Sequence, residues 1–410
     1  MVVLGYDLND DVSQVSFCGA DSETPSTLPV IAGTEKYVIP TVLAKRNGVN
    51  QWSVGDEAIA LSESGEGVLV DSLLSKAIEG REIVVEEQVF SPVRLLELFL
   101  RRTLGLVNLI VPWQLADFIV ITVEELNAKV VNMLSEVIRE LPVDAAKIRF
   151  QSHTESFYYY EIHQPQELWQ NQVLILEDKK EYLKTYRLMI NRKTRPMVAF
   201  IEEKNYPPIT DKDDKKLLHT AEELMKNQVV SSVYLIGDGF DGDWAGGTLR
   251  FLCMGRRVFL GKNLFTKGAC YSALDQLCPG ELQEKYIFLG KDKLKCNIGM
   301  KVIEDGRESY FPLADAGINW YDVQGEYEFL LGKEKELRFM LTPLTGKDIR
   351  WAVIRLSDFP DRPERASRIR LRIFMESECE LSLKVYDLGF GGIFPPSGAT
   401  MTEKIELYEE

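Results

Sequence analysis

The sequence lacks long apolar runs and has no excess of positive charge. No stretch approaches the roughly eighteen uninterrupted apolar residues that a membrane-spanning helix needs, and no charged leader precedes the first apolar segment. The formal net charge of −15 disfavours general binding to nucleic acid phosphates or to anionic lipid head groups. We therefore expect a cytoplasmic protein that binds no nucleic acid and no membrane.

Paired cysteines and metal-ligand spacings are also missing. The 6 cysteines include no CxxC pair, and none of the 3 histidines stands at metal-ligand spacing from a cysteine. A chain of 410 residues is too large to depend on disulfides, so we expect reduced thiols that are mostly buried. The sequence predicts neither a disulfide framework nor a transition-metal site.

Strand-like and helix-like segments alternate through residues 1–289. An apolar strand at residues 2–7 and a strand-like run at 15–17 predict a hairpin with acids at its tip. Residues 122–125 have the capping-box pattern that begins a helix, and Thr210 is expected to cap another. The alternation predicts an α/β architecture in which helices cover sheets. Further strands are predicted at residues 118–121, 173–176, 183–190, 198–201 and 233–236.

A change of pattern after about residue 290 predicts a second domain. Helical periodicity disappears there, and short alternating strands separated by Gly, Pro and Asp turns take its place. This pattern is typical of a compact all-β sandwich. Its expected strands are residues 336–341, 350–356, 368–375 and 380–386.

Three short motifs carry a resemblance to a known family. Residues 5–11 read Gly-Tyr-Asp-Leu-Asn-Asp-Asp, residues 235–240 read Leu-Ile-Gly-Asp-Gly-Phe, and residues 265–270 read Phe-Thr-Lys-Gly-Ala-Cys. They resemble, in this order, the first phosphate loop, the adenosine loop and the short Gly-Ala helix of the seventy-kilodalton heat-shock chaperone (DnaK-like) family of the actin-like ATPase superfamily. Residues 173–187 stand where that family has its second phosphate loop.

The resemblance implies a fold and a division into domains. The fold is an α/β, actin-like (ribonuclease-H-like) duplicated nucleotide-binding fold followed by a small all-β sandwich domain. Residues 1–289 would form the ATPase-type domain, with halves at 1–165 and 166–289. Residues 290–410 would resemble the chaperone's substrate-binding domain without its lid. Too few residues separate the second phosphate loop from the adenosine loop for the helical lobe that closes over adenine in that family.

The resemblance also implies a cofactor, ATP or ADP with Mg²⁺. Asp7 is the implied metal ligand, alone or with Asp10 and Asp11, although the same carboxylate could cap a turn at the end of a strand. The glycines of residues 237–242 could receive adenosine or could serve only a tight turn. The implied nucleotide-binding residues are Gly5, Asp7, Asp10, Asp11, Gly237, Asp238, Gly239, Phe240, Lys267 and Gly268.

Departures from the family pattern affect the phosphate chemistry. Residues 9–11 replace Gly-Thr-Thr, and an acid beside a phosphate costs roughly 4 kcal/mol per unit charge at about 4 Å and an effective dielectric of about 20. Lys179 and Lys180 replace glycines of the second loop, where they are either a basic substitute for the phosphate cradle or a solvated hairpin tip. No catalytic residue is predicted. The positions of the family's catalytic glutamate, loop aspartate and phosphate-contacting lysine are Ser152, Glu177 and Leu73.

Several functions are compatible with this pattern. The first is a non-catalytic scaffold or client-binding module that binds protein partners or peptide clients, because the frame of the fold persists while its phosphate chemistry does not. The alternative is a chaperone-type ATPase in which Asp7 holds Mg²⁺ and residues 237–240 bind adenosine. Filament formers and sugar-kinase relatives of the same fold form a third class. The sequence does not predict an oligomeric state.

One basic cluster in the second domain is interleaved with apolar residues at strand alternation. It indicates either a surface for an acidic partner or a nucleic-acid strand, or a solvated face of the sandwich balanced by nearby acids. Its members are Arg362, Arg365, Arg368, Arg370 and Arg372.

Overall fold

The computed structural model describes residues 1–410 with the exception of 20, 21, 23, 32, 210, 345–347, 409 and 410. The described residues form two compact units, which we call unit 1 (Met1–Ile287) and unit 2 (Phe288–Glu410). None of the described helices is both long enough and apolar enough to cross a membrane. Thr210, the expected helix cap, lies outside the described residues.

Unit 1 begins with a run of strands interrupted by helices. The strands are β1 (Val2–Leu8), β2 (Val12–Gly19), β3 (Ser26–Thr27), β4 (Ile39–Pro40), β5 (Leu43–Arg46), β6 (Trp52–Val54), β7 (Gly67–Val70), β8 (Ile83–Val85), β9 (Gln88–Phe90), β10 (Phe118–Val123) and β11 (Ile148–Ser152). The helices are α1 (Gly55–Glu63), α2 (Leu73–Glu79), α3 (Pro92–Leu104), α4 (Ala128–Glu140) and α5 (His153–Ile162).

The first sheet of unit 1 is built around β1. Its strands lie in the order β11–β10–β1–β2–β3, with β4 beside β2. β10 runs parallel to β1 and β11 parallel to β10, whereas β2 and β3 are each antiparallel to the preceding strand. Every residue of β10 is buried, as its continuous apolar run predicts for a sheet covered on both faces. The predicted hairpin at residues 2–17 and the predicted strand at 118–121 are confirmed.

The second part of unit 1 repeats the alternation. Its strands are β12 (Gln172–Asp178), β13 (Leu183–Asn191), β14 (Met197–Tyr206), β15 (Val230–Ile236), β16 (Arg257–Leu260) and β17 (Tyr286–Phe288). Its helices are α6 (Asp214–Met225), α7 (Gly246–Leu252), α8 (Leu264–Leu277) and α9 (Glu281–Lys285).

The second sheet has its strands in the order β16–β15–β12–β13–β14–β17. β15 runs parallel to β12 and β16 parallel to β15, whereas β13 and β14 are each antiparallel to the preceding strand. From β16 to β14 the order and directions equal those of the first sheet, with β12 in the place of β1. The predicted strands at residues 173–176, 183–190, 198–201 and 233–236 are confirmed.

Two helices begin later than their local sequence signals suggest. The capping box predicted a helix start at Thr122, but this residue lies within β10, where its backbone pairs with β11. Helix α4 instead has Asn127 as its N-cap, and the Asn127 side chain accepts a backbone hydrogen bond at 3.1 Å. Helix α6 is capped by Asp213, which accepts from the N–H of Lys215 at 3.0 Å. Strand pairing thus outweighs a local capping pattern.

Helix α8 packs against β1 and α5 at contacts that leave no room for a side chain. A Cβ atom on Gly5 would overlap the carbonyl oxygen of Thr266, and one on Gly268 would overlap the carbonyl oxygen of Ser156. The Thr266 hydroxyl donates to the carbonyl oxygen of Gly5 at 3.1 Å. Helix α8, which follows β16 of the second sheet in the chain, is therefore fixed directly to the first sheet.

Helix α5 carries a fully buried acid, Glu161. Burial raises the pKa of Glu161 to about 8, so its carboxyl group is protonated at neutral pH. The neighbouring Tyr160 packs edge to face on Tyr234, with ring centroids 5.8 Å apart. This helix is therefore covered on most sides, and one of its acids is kept in its neutral form.

Unit 2 consists, in its described residues, of antiparallel sheets in the orders β19–β18–β21–β22 and β20–β23–β24–β25, with ranges given at the end of this paragraph. Along residues 368–375, the isoleucine and leucine side chains are buried and alternate with arginines that are not. The four strands predicted here are confirmed. The strands are β18 (Cys296–Glu304), β19 (Arg307–Ala314), β20 (Gln324–Leu330), β21 (Glu336–Pro343), β22 (Arg350–Arg355), β23 (Arg368–Met375), β24 (Glu380–Gly389) and β25 (Thr400–Glu406).

The contact between α5 and α8 predicts that Gly268→Ala destabilises the protein. We expect a loss of about 2 kcal/mol or more in the free energy of unfolding, because the obstacle is backbone that cannot rotate away. Urea denaturation measures this loss. Gly246→Ala is the matched control, because Gly246 also lies in a helix and no atom is within 4 Å of its Cβ position. Equal losses in the two variants would contradict the prediction.

The buried Glu161 predicts a pH dependence of stability. The unfolded chain releases this proton near the ordinary pKa of 4.5, whereas the folded chain keeps it up to about pH 8. The stabilising contribution is therefore complete below pH 4.5 and is lost as the pH rises through 8. We expect this group to lower the free energy of unfolding by up to about 1.4 kcal/mol per pH unit in that window.

Glu161→Gln should lack this component, so its free energy of unfolding should change less with pH than that of the wild type. Urea denaturation at several pH values across the window measures the slopes. Glu136→Gln, at an exposed position of α4, should keep the wild-type slope. Identical slopes in the wild type and Glu161→Gln would show that the burial of this acid has no such effect.

Candidate functional site

The ends of three neighbouring strands in the first sheet bring Asp7 and His153 together. Asp7 lies near the end of β1, and His153 is the first residue of α5, directly after β11. Because β1, β10 and β11 are parallel, their carboxyl ends meet at one edge of the sheet. Nε2 of His153 lies 2.8 Å from Oδ1 of Asp7, which also accepts from Nδ2 of Asn9 at 2.9 Å. The Asp7 carboxylate is thus already engaged.

The position of the His153 ring is fixed by stacking. It lies parallel to Phe265 of α8, with ring centroids 4.0 Å apart. His153 is almost fully buried, and its second ring nitrogen, Nδ1, has no hydrogen-bond partner among the described residues. The close packing of α8 on the first sheet therefore also determines the geometry at Asp7.

An ion-pair cluster lies beside this pair. We define it as Glu124, Glu177, Lys179, Lys184 and Glu203. Nζ of Lys179 lies 3.1 Å from Glu124 and 2.9 Å from Glu177. Nζ of Lys184 lies 2.8 Å from the other oxygen of Glu124 and 3.1 Å from Glu203. Glu124 follows β10 of the first sheet, and the two lysines belong to the β12–β13 hairpin of the second. The cluster therefore joins the two sheets through charge.

The charges of this cluster stabilise one another. Burial raises the pKa of Glu124, but the nearby Lys179 and Lys184 outweigh burial and hold it at about 2. Burial lowers the pKa of both lysines, and their acidic partners raise it above the ordinary range. Tyr186 donates to Glu177 at 2.8 Å, and burial raises the pKa of Tyr186 well above its ordinary value. Glu124, Lys179 and Lys184 therefore remain ionised at neutral pH.

The three acids proposed to hold Mg²⁺ have three separate partners. Asp7 contacts His153, whereas the Asp10 carboxylate accepts from the N–H of Ser75 at 3.0 Å and from its hydroxyl. Asp11 is exposed, with its carboxylate 3.8 Å from Nζ of Lys180. Among the described residues, no group of three or more His, Cys, Asp or Glu side chains has an arrangement that could hold a metal ion.

The glycine turn after β15 is packed against the chain itself. A Cβ atom on Gly239 would overlap the carboxylate of Asp178, and one on Gly237 would lie 2.8 Å from the Asp178 carbonyl oxygen. Gly237 also has a φ of 103°, which glycine adopts readily. Phe240 is buried in the core of the second sheet, whereas Asp238 is exposed. Asp178, rather than an external group, makes the close approach to this turn.

At the tip of the β12–β13 hairpin, a lysine has a backbone conformation that favours glycine. Lys180 has a φ of 63°, in the left-handed region that favours glycine. Its N–H donates to the Asp178 carboxylate at 3.1 Å. The backbone at Lys180 therefore has a conformation that glycine adopts more readily than lysine.

The remaining predicted residues lie in α8 and in β1. Gly5 and Gly268 occupy the two close backbone contacts of α8, and Lys267 is half-buried on the same helix. The structure brings Asp7 near the ion-pair cluster but does not gather Asp7, Asp10 and Asp11 into one set of ligands.

The three positions with family-assigned roles have other partners or surroundings here. Ser152 caps α5 and accepts from the N–H of Glu155 at 3.3 Å. Leu73 is a fully buried residue of α2. Glu177 belongs to the ion-pair cluster.

Sequence reasoning missed Glu124, His153 and Lys184. The available signal was position: Glu124 and His153 directly follow parallel strands of one sheet, where side chains from different strands meet. Glu124 was interpreted as part of a capping box, and His153 only as a histidine without metal-ligand spacing from a cysteine. Only the pairing of β10 with β1 and β11 shows that they are neighbours.

The arginine cluster of unit 2 is largely neutralised by acids. Arg362 forms a bidentate pair with the buried Asp387, at 2.7 and 2.8 Å. Arg370 lies 2.9 Å from Glu328, which is also 3.6 Å from Arg368. The side chains of Arg362, Arg368 and Arg370 are therefore engaged in ion pairs within unit 2.

Comparisons with known proteins identify the family. Residues 24–291 match the family described as "Family of unknown function (DUF5716) C-terminal". This match covers more than half of the chain, and the chain belongs to this family. Residues 293–407 match "Domain of unknown function (DUF8552)". None of the curated proteins matches the chain significantly.

Among solved structures, the chain is similar to a non-polymerising mutant of MamK bound to AMPPNP. The sequence identity is 11%, the match covers 67% of this chain and 98% of that chain, and the TM-score is 0.40. An identity this low gives no information about binding or activity in the present chain. The fold of the present chain is mixed α/β in unit 1 and all-β in the described residues of unit 2.

The ion-pair cluster predicts that Glu124→Gln destabilises the protein. Loss of this charge leaves two lysines short of a partner, and we expect a cost of about 2 kcal/mol near neutral pH, allowing for the partial exposure of Glu124. The contribution is present above pH 4.5, the ordinary pKa, and is lost as the pH falls through about 2.

The difference in free energy of unfolding between the wild type and Glu124→Gln should therefore shrink below pH 4.5. Urea denaturation across this pH range measures it. Glu181→Gln, exposed at the tip of the same hairpin, is the matched control and should cost little. A difference that stays constant down to pH 2 would contradict this assignment.

Proposed function

We propose that this chain is a non-catalytic scaffold that binds protein partners, built on an actin-like, ribonuclease-H-like duplicated module with degenerate phosphate loops. The equal order and directions of strands in the two sheets of unit 1 support the duplication. The resemblance of residues 5–11 and 235–240 to nucleotide loops supports the choice of fold. The heat-shock chaperone is the relative that these motifs suggest, and residues 290–410 would be its β-sandwich without a lid.

The ion-pair cluster is the observation that carries this proposal. Phosphoryl transfer depends on positioning and on neutralising phosphate charge through glycine-loop N–H groups, a basic side chain and a metal. The half-buried Lys179 and the buried Lys184 already have carboxylate partners within 3.1 Å. A phosphate would have to displace those acids. Any acid left about 4 Å away would repel it by roughly 4 kcal/mol per unit charge at an effective dielectric of about 20.

The residues present do not fit a Mg²⁺–nucleotide. Asp7, Asp10 and Asp11 have different partners, and Asp178 makes the close approach to Gly239 that an adenosine would need. These residues therefore support no catalytic step that involves a nucleotide.

The ion-pair cluster connects the two sheets of unit 1. In a duplicated fold, a ligand that touches both halves holds them together. Here Glu124 from the first sheet and two lysines from the second make that connection without a ligand. A frame that is fixed in one arrangement suits a scaffold, since little order has to be gained when a partner binds.

The partners we propose are proteins or peptide segments. A net charge of −15 opposes binding to nucleic acid or anionic membranes, and Arg362, Arg368 and Arg370 of the arginine cluster are paired with acids. We propose a cytoplasmic location on the same grounds.

The test is calorimetric titration of the full-length protein with ATP and with ADP, each with and without Mg²⁺. We expect no binding heat at concentrations that detect a millimolar dissociation constant, because the lysines are already paired. ATP hydrolysis, or Mg²⁺-dependent binding that disappears in Asp7→Asn, would overturn the proposal in favour of a nucleotide-binding ATPase. Asp315→Ala, an exposed position of unit 2, serves as the control and should behave as the wild type does.

A further inference from the structure

A loop of unit 1 exposes large apolar side chains and carries no charge. We define the apolar loop as residues 103–116, which run from the last residues of α3 toward β10 and include no acid and no base. The side chains of Leu109, Ile110 and Leu115 in this loop are 82%, 49% and 66% exposed. Large apolar side chains grouped on a surface in this way are typical of an interaction site.

The conformation of the apolar loop is fixed by contacts of its own. Val107 and Trp113 are almost fully buried and anchor the loop on unit 1. The N–H of Trp113 donates to Oδ1 of Asn108 at 3.1 Å, which joins two short helical turns of the loop. These turns are Gly105–Leu109 and Trp113–Leu115. The exposed side chains therefore stand on a defined support.

Three cations border the apolar loop. Arg102 lies in the last turn of α3, directly before the loop. Nζ of Lys147 donates to the carbonyl oxygen of Ala116, at the end of the loop, at 3.2 Å. The guanidinium group of Arg149 lies 6.0 Å from the centroid of the Phe118 ring. In the part of the chain that the structure describes, none of these three cations forms an ion pair with an acid.

Two acids near the apolar loop accept backbone hydrogen bonds instead. Asp117 follows the loop and accepts from the N–H of Val2 at 2.7 Å. Asp144 begins the turn that contains Lys147 and accepts from the N–H of Ala146 at 3.0 Å. The three cations therefore keep their positive charge available to a partner, although the net charge of the chain is −15.

An acidic segment with large apolar side chains matches both features of this surface. Its apolar side chains would cover those of the loop, and its acids would face Arg102, Lys147 and Arg149. Such a pairing removes apolar area from water and at the same time supplies the acidic partners that these cations lack.

A membrane and a second copy of the chain match the surface less well. An anionic lipid surface extends beyond the loop and would also repel the other charges of a chain with a net charge of −15. In a two-fold contact between copies, the same patch of each copy meets the other, so that cations approach cations. The charges therefore favour a segment of a different protein.

We propose that the apolar loop binds an acidic amphipathic segment of a partner protein, whose apolar face covers Leu109, Ile110 and Leu115 and whose acids pair with the three bordering cations. The inference rests on the proposed protein-binding function. It names the surface used for binding and the chemical class of the partner.

Binding of labelled synthetic peptides to the full-length protein tests this inference by fluorescence anisotropy. The first probe is Glu-Leu-Glu-Glu-Leu-Leu-Glu-Glu-Leu-Glu-Glu-Leu-Leu-Glu, which places its leucines on one face of a helix. The second has lysine in place of every glutamate, and the third has the composition of the first with its leucines spread over all faces. We expect saturable binding of the first peptide and binding weaker by about tenfold or more for the other two.

The comparison of the first two peptides is sharp because the chain as a whole is acidic. A net charge of −15 by itself attracts the lysine peptide and repels the glutamate peptide. A preference for the glutamate peptide therefore reports local cations. No saturable binding of the first peptide, or a preference for the second, would overturn the inference.

Variants of the protein locate the binding surface. Leu109→Ser should weaken binding of the first peptide by about tenfold. Its midpoint of urea denaturation should equal that of the wild type, because the side chain is 82% exposed. Val84→Ser, at a 65% exposed position of β8, is the matched control and should leave binding unchanged. Equal losses in the two serine variants would contradict this location.

Reversal of one charge tests the role of the cations. Arg149→Glu should weaken binding of the first peptide and shift the preference toward the lysine peptide. Lys193→Glu, the matched reversal at an exposed position between β13 and β14, should leave the preference unchanged. The same shift in both variants would show that only the total charge of the chain matters and would overturn the proposed pairing.

The alternative occupants have their own measurements. Co-sedimentation with phosphatidylglycerol vesicles that is lost in Leu109→Ser would assign the loop to a lipid surface and overturn the proposal. A dimer in analytical ultracentrifugation that dissociates in Leu109→Ser would assign it to a second copy, with the same consequence. Absence of both peptide and nucleotide binding would remove this inference alone, whereas ATP hydrolysis would remove the proposed function and leave the peptide result standing.

Discussion

The close contact of α8 with the first sheet is the constraint on which the rest of unit 1 depends. This helix follows β16 of the second sheet in the chain, yet its backbone touches β1 at Gly5 and α5 at Gly268. Both contacts require glycine, because a methyl group would meet carbonyl oxygen. The two sheets are therefore held at one separation. Phe265, near the start of the same helix, stacks on His153 and so determines where the partner of Asp7 lies.

At that separation, side chains from the two sheets can meet and form ion pairs. Glu124 reaches two lysines of the opposite hairpin, and the lysines in turn contact Glu177 and Glu203. Burying charges costs several kcal/mol per ion, which only well-placed partners offset. The cluster is therefore an arrangement that tolerates little movement. This property fits the scaffold proposed above, because ion pairs that hold the two sheets together oppose their opening and closing.

Sequence patterns predict much of this fold and little of the site. The apolar runs of β10 and β12 and the alternation along β23 identify strands, because burial imposes those periods. The predicted start of α4 was wrong, since Thr122 is held in the sheet by pairing with β11, a strand distant in sequence. The site was not predicted for the same reason. Glu124 and Lys184 are 60 residues apart, and no local pattern indicates that they form an ion pair.

The ion-pair cluster also restricts how such a protein can evolve. Removing one lysine leaves Glu124 with a single lysine partner and leaves Glu177 or Glu203 without its lysine, and removing Glu124 takes one of two acidic partners from each lysine. Each single substitution therefore passes through a less stable protein. Several residues would have to change together before a nucleotide could gain a place. The five residues of the cluster are therefore energetically coupled, and a substitution at one of them changes the cost of a substitution at the others.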